Sequence, residues 1–326
     1  MTTLSAHDLI HIGRSDKLHR RLGMGGSFYG LDHASGQGEA DILAAMAAAL
    51  DNGITHFDTA TGYGEGYSER LIGRFLAADP TRRERIFLAS KFASDDISAA
   101  AVLDAIDASR ERLQVETIDL YYIHWPRTGK DLRPLMDGLE TARAQGKIYA
   151  TGVSNFSVDQ MEQIAQAGRI DAHQLGYSLL WRFDEQDILP YCTENGISVV
   201  VYSALAHGIL GGKYPKELCF VPGDQRWRIL LFREDVWPHV YEVVEDLKQV
   251  AEQVGRTLAH LSLRWLLQRP GVTSVLVSAK NAEQAKANAA ALDGDIPTEV
   301  FESLTRLSDR LVPHIPDEGN PFGYHP

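Results

Sequence analysis

Three short apolar runs in this 326-residue chain each end on a polar side chain able to move or hold a proton. Ile54 to Phe57 leads into Asp58, with Tyr63 five positions further on in a glycine-flanked loop; Ile86 to Ser90 leads into Lys91; Ile118 to Ile123 leads into His124. A phenol is a weak acid with an ordinary pKa of about 10, and a neighbouring ammonium favours the phenolate, at about 1.4 kcal/mol for each tenfold gain in acidity. Lys91 is therefore expected to make Tyr63 a usable proton donor. An ionised Asp58 would fix Lys91 and keep it charged, while His124 would hydrogen-bond a substrate oxygen. The four side chains make a proton-delivery site for a carbonyl. None can supply hydride, so a reduction here needs a bound nicotinamide.

Groups so far apart in sequence meet only if the elements carrying them converge. From residue 39 onward, helical and strand-like stretches alternate: helix Glu39 to Leu50, strand Ile54 to Phe57, helix Ser68 to Ala77, strand Ile86 to Ser90, helix Ser98 to Leu113, strand Ile118 to Ile123. Helix Leu132 to Gln145, strand Ile148 to Val153, helix Ser157 to Ala167, a short stretch at His173 to Tyr177, helix Glu185 to Asn195 and strand Ser198 to Tyr202 follow. Strand Ser274 to Val277 and helices at Val240 to Gln253, Leu258 to Leu267, Ala282 to Ala290 and Thr298 to Leu311 complete the series. With a strand at Arg21 to Met24 the strands number eight. Regular βα alternation implies parallel strands, and eight units favour a closed (β/α)8 TIM barrel over an open doubly wound sheet, with the site at its C-terminal face. The expectation is one domain over 1–326, with a long cofactor-covering loop around 208–237 and a short tail at 312–326.

Composition narrows the partners. Thirty-two basic against 44 acidic side chains give a net charge of -12, which argues against nucleic acid as a ligand. Cys192 and Cys219 form neither a disulfide framework nor a zinc motif, and no apolar run approaches the roughly 18 residues of a membrane span. A cytoplasmic protein acting on a small molecule fits, with no membrane partner and no metal; oligomeric state is not legible. Gly23 to Phe28 and Gly62 to Tyr67 both miss the last glycine of the dinucleotide fingerprint, and Gly152 to Phe156 lacks the closing glycine of a nucleophile elbow. His7 to His11 has zinc-helix spacing but carries aspartate where a catalytic glutamate belongs.

The segments Gly53 to Ala60 with Tyr63, Ser90-Lys91, Asp119 to Trp125, Gly152 to Phe156, Tyr202 to Ala206, Gly211 to Tyr214 and Val275 to Asn288 resemble, in order and over nearly the whole chain, the motifs of the aldo-keto reductases. The resemblance implies a TIM barrel that binds NADP(H) without a Rossmann fold, with Tyr63 as general acid, Lys91 and Asp58 tuning it, and His124 orienting the carbonyl. It further implies Ser154, Asn155 and Gln174 at the nicotinamide amide, Tyr202 stacked on the ring, and Ser203, Leu205 and Ala206 along the pyrophosphate under the Gly208 to Tyr214 loop. Ser278 and Lys280 would hold the adenosine end, Lys280 at the 2′-phosphate, with Gln284 and Asn288 at the adenine. NADP(H) is favoured; Lys280 where arginine is common, and Val277-Ser278 where Pro-Gly is common, leave NAD(H) admissible. His207 stands where arginine or glycine is frequent, and Gly26-Ser27 replaces a bulkier pair, which would widen the substrate side.

Phe28, Trp125 and Trp181 are candidates for the substrate wall, with core or surface packing as the competing reading. Ser154-Asn155 could instead cap the helix from Ser157, and Lys280 could be a solvated lysine. The resemblance also admits a redox-sensing regulatory subunit with little turnover. A Schiff-base lysine at Lys91 would require that side chain to lack its carboxylate.

Overall fold

The structure, a computed structural model, describes residues 5–29, 38–221 and 224–316. Leu9–Ile10 (β1) and His19–Arg20 (β2) pair antiparallel as a small hairpin. Leu22–Gly25 (β3), His56–Asp58 (β4), Phe87–Phe92 (β5), Ile118–Ile123 (β6), Ile148–Ser154 (β7), Ala172–Gly176 (β8), Ser198–Tyr202 (β9) and Val272–Val277 (β10) then close into an eight-stranded parallel barrel, β10 pairing with both β9 and β3. These strands read as apolar runs rather than alternating ones because one face fills the barrel and the other meets the helices.

The helices are Glu39–Asp51 (α1), Tyr67–Ala77 (α2), Thr81–Arg85 (α3), Ala99–Leu113 (α4), Arg133–Ala144 (α5), Val158–Ile164 (α6), Ile188–Glu194 (α7), Trp237–Gln253 (α8), Leu258–Gln268 (α9), Ala282–Ala290 (α10) and Thr298–Asp309 (α11). Several starts are fixed by side chains accepting from the first turn: Ser98 from Ala101, Thr257 from His260 and Asn281 from Gln284. Ser157 and Gln160 cap α6 reciprocally.

The barrel interior is packed and its lower end closed. Ile10 and Ile12 join Phe87, Leu120, Val200 and Leu276 in one buried cluster. The rings of His19, His56 and Phe87 pack on one another with centroids 4.4 to 5.0 Å apart. Chemistry is left to the opposite, C-terminal mouth.

Asp58 is the last residue of β4 and Lys91 the last but one of β5, the strand-end positions expected from the sequence. Two local expectations need correction. The 208–237 stretch is not structureless: it contains 3-10 turns at Ala206–Gly211, Gln225–Arg228 and Leu230–Phe232, and α8 begins at Trp237. Of the 312–326 tail, Val312–His314 forms a 3-10 turn and 317–326 lie outside the described residues.

Candidate active site

Neighbouring strands bring the predicted groups to one rim. Asp58 ends β4, Lys91 lies on the adjacent β5, and His124 follows the next strand, β6. Lys91 Nζ donates to Asp58 Oδ1 and, at 2.8 Å, to the Thr59 carbonyl; Tyr63 OH stands 3.4 Å away. The second Asp58 oxygen accepts from Gln174 Nε2 across the barrel at 2.8 Å. The His124 ring meets Tyr63 edge-on at 5.5 Å and stacks on Trp125 at 6.0 Å.

Layers behind the rim hold it in place. Thr59 Oγ1 donates to Ser68 Oγ at 2.7 Å, and Ser68 in turn donates to the Gly26 carbonyl at 3.1 Å. A Cβ on Gly26 would lie 2.7 Å from Ser68 Oγ and 3.1 Å from the Asp58 carbonyl. The small residue there is thus required for close packing. Next to Lys91, Ser90 Oγ donates to the fully buried Glu69, whose other oxygen takes Arg112 Nε at 2.6 Å and so ties α2, α4 and β5 together.

Burial dominates the electrostatics. Burial alone would lower Lys91, but Asp58 and then Tyr63 more than offset it, and the ammonium stands above its ordinary value. Burial also holds Asp58 up, with Lys91 and Gln174 drawing it back down. Tyr63 is raised above about 10 because burial outweighs the pull of Lys91. The phenol therefore holds the proton it would donate, and Lys91 draws its pKa down from where burial alone would set it. His124 is pushed well below its ordinary value, first by burial and then by Lys91, and is neutral. A Schiff-base lysine needs a lowered pKa and no carboxylate partner, so Lys91 does not fit that chemistry.

A second group of predicted residues forms a shelf beside the rim. Asn155, in the left-handed region at φ 64°, donates from Nδ2 to the His124 carbonyl and to Ser154 Oγ. Its Oδ1 accepts from Tyr202 OH at 2.7 Å. Ser157, not Ser154 or Asn155, caps α6, which removes the capping alternative for that pair. The Tyr202 ring lies against Gly176, where a Cβ would come within 3.1 Å of it. Beyond Tyr202, Ser203, Ala206 and His207 all have positive φ, as does Gly208.

At the far side, Gln284 Oε1 accepts from the Lys280 amide and Asn288 Nδ2 donates to the Ser278 carbonyl. Lys280 Nζ stands 5.7 Å over the Phe28 ring, because β10 and β3 are neighbours and their following loops meet. A flat aromatic shelf, a left-handed turn and an exposed cation, in that order along the chain, fit an extended anionic dinucleotide.

One predicted wall residue falls elsewhere: Trp181 is 2% exposed and packs in the core against Phe183. Phe28 lies beneath Lys280 Nζ, in the segment after β3. The residues the sequence did not single out are Thr59, acting through its backbone carbonyl, and Gly176; a glycine two residues past a predicted site residue was the available signal for the latter.

A closed parallel barrel with ionisable groups gathered at its C-terminal mouth is the architecture of a TIM-barrel enzyme. The family model described as the aldo/keto reductase family matches residues 21–309, and the chain belongs to that family of oxidoreductases. It is 32% identical over 276 residues to aldo-keto reductase YhdN of Bacillus subtilis (82% of this chain, 83% of the relative). It is 29% identical to the NADH-specific methylglyoxal reductase of Escherichia coli (91% and 99%). Among solved structures, the glycerol dehydrogenase AKR11B4 of Gluconobacter oxydans superposes with a TM-score of 0.83 at 28% identity, covering 95% of this chain and 98% of that one. An aldo/keto reductase of Klebsiella pneumoniae in complex with NADP and acetate gives 0.74 at 27% identity (97% and 98%).

Proposed function

We propose that this protein interconverts a carbonyl and an alcohol with NADP(H), Tyr63 passing the proton. The observation that carries the reading is the contact between the Tyr63 hydroxyl and an ammonium that is itself held by Asp58 and the Thr59 carbonyl. In reduction, Tyr63 OH donates its proton to the substrate oxygen, and Lys91 stabilises the phenolate left behind. In oxidation the same phenolate takes the proton back. Neutral His124 donates a hydrogen bond to the substrate oxygen, and Trp125, stacked on it, forms one wall. The nicotinamide, when bound, supplies or accepts the hydride. Ser154, Asn155 and Gln174 hold its amide end, Tyr202 its ring, the Ser203 to Gly208 turn its pyrophosphate, and Ser278, Lys280, Gln284 and Asn288 its adenosine.

NADP(H) is the proposed preference and NAD(H) the second choice: a structural neighbour holds NADP, one relative is NADH-specific, and Lys280 offers charge without a stacking plane. The proposed substrates are small aldehydes, ketones, sugars or polyols, supported by relatives that act on methylglyoxal and glycerol. The proposed compartment is the cytoplasm; among the described residues no helix is long and apolar enough to cross a membrane. The test is nicotinamide absorbance over time with NADPH and NADP⁺ against such a panel, for wild type and Tyr63→Phe. Turnover lost in the variant supports the role of Tyr63, and turnover retained sinks it. Tight dinucleotide binding without turnover on any compound would favour the regulatory role instead.

A further inference from the structure

The turn after β9 is held in a conformation its residues disfavour. Ser203, Ala206 and His207, three non-glycine residues within five positions, have φ of 53°, 46° and 54°. Each such residue is strained and persists only where surrounding contacts over-determine it. Part of the hold is internal: Ala206 N donates to the Ser203 carbonyl, Gly208 N to that of Leu205, and Ser203 Oγ lies 3.4 Å from His207 Nε2. Part of it comes from outside the turn. Tyr214 OH donates to the His207 carbonyl at 3.2 Å and accepts from Arg226 Nη1 at 3.3 Å. The Arg226 guanidinium is paired with Asp224 and lies 4.1 Å over the Phe220 ring. The Tyr214 ring meets Phe220, Phe232 and Trp237 edge-on at 5.1 to 6.1 Å, and Trp237 Nε1 is tied to the Lys216 carbonyl. Tyr214, Phe220, Phe232 and Trp237 thus form a small aromatic core with one phenol reaching back to the strained turn.

We propose that Tyr214 is a positioning residue: its hydroxyl keeps the Ser203 to Gly208 turn in the shape that receives the dinucleotide pyrophosphate, and so sets how long the dinucleotide stays bound. Pre-organising a binding turn lowers the ordering cost of association, so its loss acts mainly on the dissociation rate. The dinucleotide half of this inference rests on the function proposed above; the conformational half does not. Tyr214→Phe keeps the ring in its aromatic core and deletes the tie. Arg226→Gln keeps the phenol and removes one of its partners.

Two measurements decide it. Amide hydrogen exchange of Gly208 and Leu210 is followed in the ligand-free protein, and NADPH dissociation is followed by stopped-flow fluorescence. Tyr214→Phe is expected to speed both by about tenfold, the effect of losing one hydrogen bond of ordinary strength, and Arg226→Gln by less in the same direction. The KM for a carbonyl substrate should stay at the wild-type value and the melting temperature should fall by no more than about 4 °C, the shift one lost hydrogen bond allows; a general structural defect would exceed it. Exchange unchanged in Tyr214→Phe overturns the latch. Faster exchange with NADPH dissociation within twofold of wild type overturns its role toward the dinucleotide. A wild type that binds no dinucleotide would count against the proposed function, and the exchange data would still judge the latch.

Discussion

Lys91 is 0% and Asp58 3% exposed, so neither can lose its partner cheaply. Removing one member of a buried pair leaves an uncompensated charge and typically costs about 3 to 5 kcal/mol, whereas replacing both by apolar groups of similar volume is often nearly neutral. Lys91→Met is expected to abolish turnover and lose about 3 kcal/mol, while Lys91→Met with Asp58→Leu regains most of the stability and none of the activity. Urea unfolding of the four proteins of this cycle checks it: a double variant as unstable as the sum of the singles would show that the charges are not coupled. The same site dictates a pH profile. Burial keeps the Tyr63 phenol protonated beyond its ordinary value and His124 neutral well below its own. Reduction should therefore show no limb near about 6.5 and should fall only above about pH 10. A limb near about 6.5 in kcat/KM would mean that His124 titrates, contrary to its surroundings. Asp58, Lys91 and His124 were legible in the sequence because strand ends announce themselves by apolar runs, and Tyr63 because it follows one of them in a glycine-flanked loop. The Gln174 bond to Asp58 and the Thr59 carbonyl were not, since one spans the barrel and the other involves no side chain.

Helix α2 carries Glu69 and Ser68 to the back of the site, and Gly73 sets how close that helix comes to α4. A Cβ on Gly73 would lie 2.3 Å from the Arg112 carbonyl oxygen and 3.0 Å from the Leu113 carbonyl carbon, backbone atoms that cannot swing aside. Gly73→Ala should gain about 1 kcal/mol in helix propensity and lose more to overpacking, typically about 1 to 3 kcal/mol. The displaced helix would draw Glu69 off Ser90 and Arg112 and lower kcat with it. Stability at or above wild type in chemical denaturation would mean that the two helices adjust freely. Most elements were legible because periodicity survives over ten or more residues, as in α4 and α8. Hairpin β1–β2 was not, since two-residue strands have no period, and five-residue α3 was lost for the same reason. The 208–237 stretch reads as irregular in sequence because its order comes from rings meeting at odd spacings, Tyr214, Phe220, Phe232 and Trp237, rather than from a repeating pattern.

On the scale of the whole molecule, the barrel's buried imidazoles bind its stability to pH. His19 is pushed down to about 4, by burial foremost, its Nδ1 facing the Arg20 carbonyl and its ring packed on His56 and Phe87. His173, on β8, is pushed down to about 3 by burial, and its Nε2 accepts from the Phe156 amide. His56 lies well below its ordinary value, through burial and then the charges of His19 and Lys91. In the unfolded chain each titrates at about 6.5, so below that pH the unfolded state binds more protons than the folded one. Their contribution is complete above about 6.5 and is lost progressively as pH falls toward the folded values. For His19 alone it amounts to about 3 kcal/mol. Asp184, held up to about 7 by burial and by Asp187, and the raised Asp58 pull the other way by taking up their protons early in the folded state. With His124 and His207 also depressed by burial, lowered imidazoles outnumber raised carboxyls among the described residues and leave the net slope positive. Stability should therefore fall as pH drops from about 6.5 to about 4.5. His19→Phe keeps a ring against Phe87 and removes one titrating group, so it should be less stable than wild type at neutral pH by roughly the lost bond to Arg20, about 1 kcal/mol. It should then lose about 2 kcal/mol less than wild type over that acid range. Denaturant unfolding at several pH values gives both numbers. Parallel curves for the two proteins would place the proton uptake elsewhere and detach the plugged end of the barrel from its acid sensitivity.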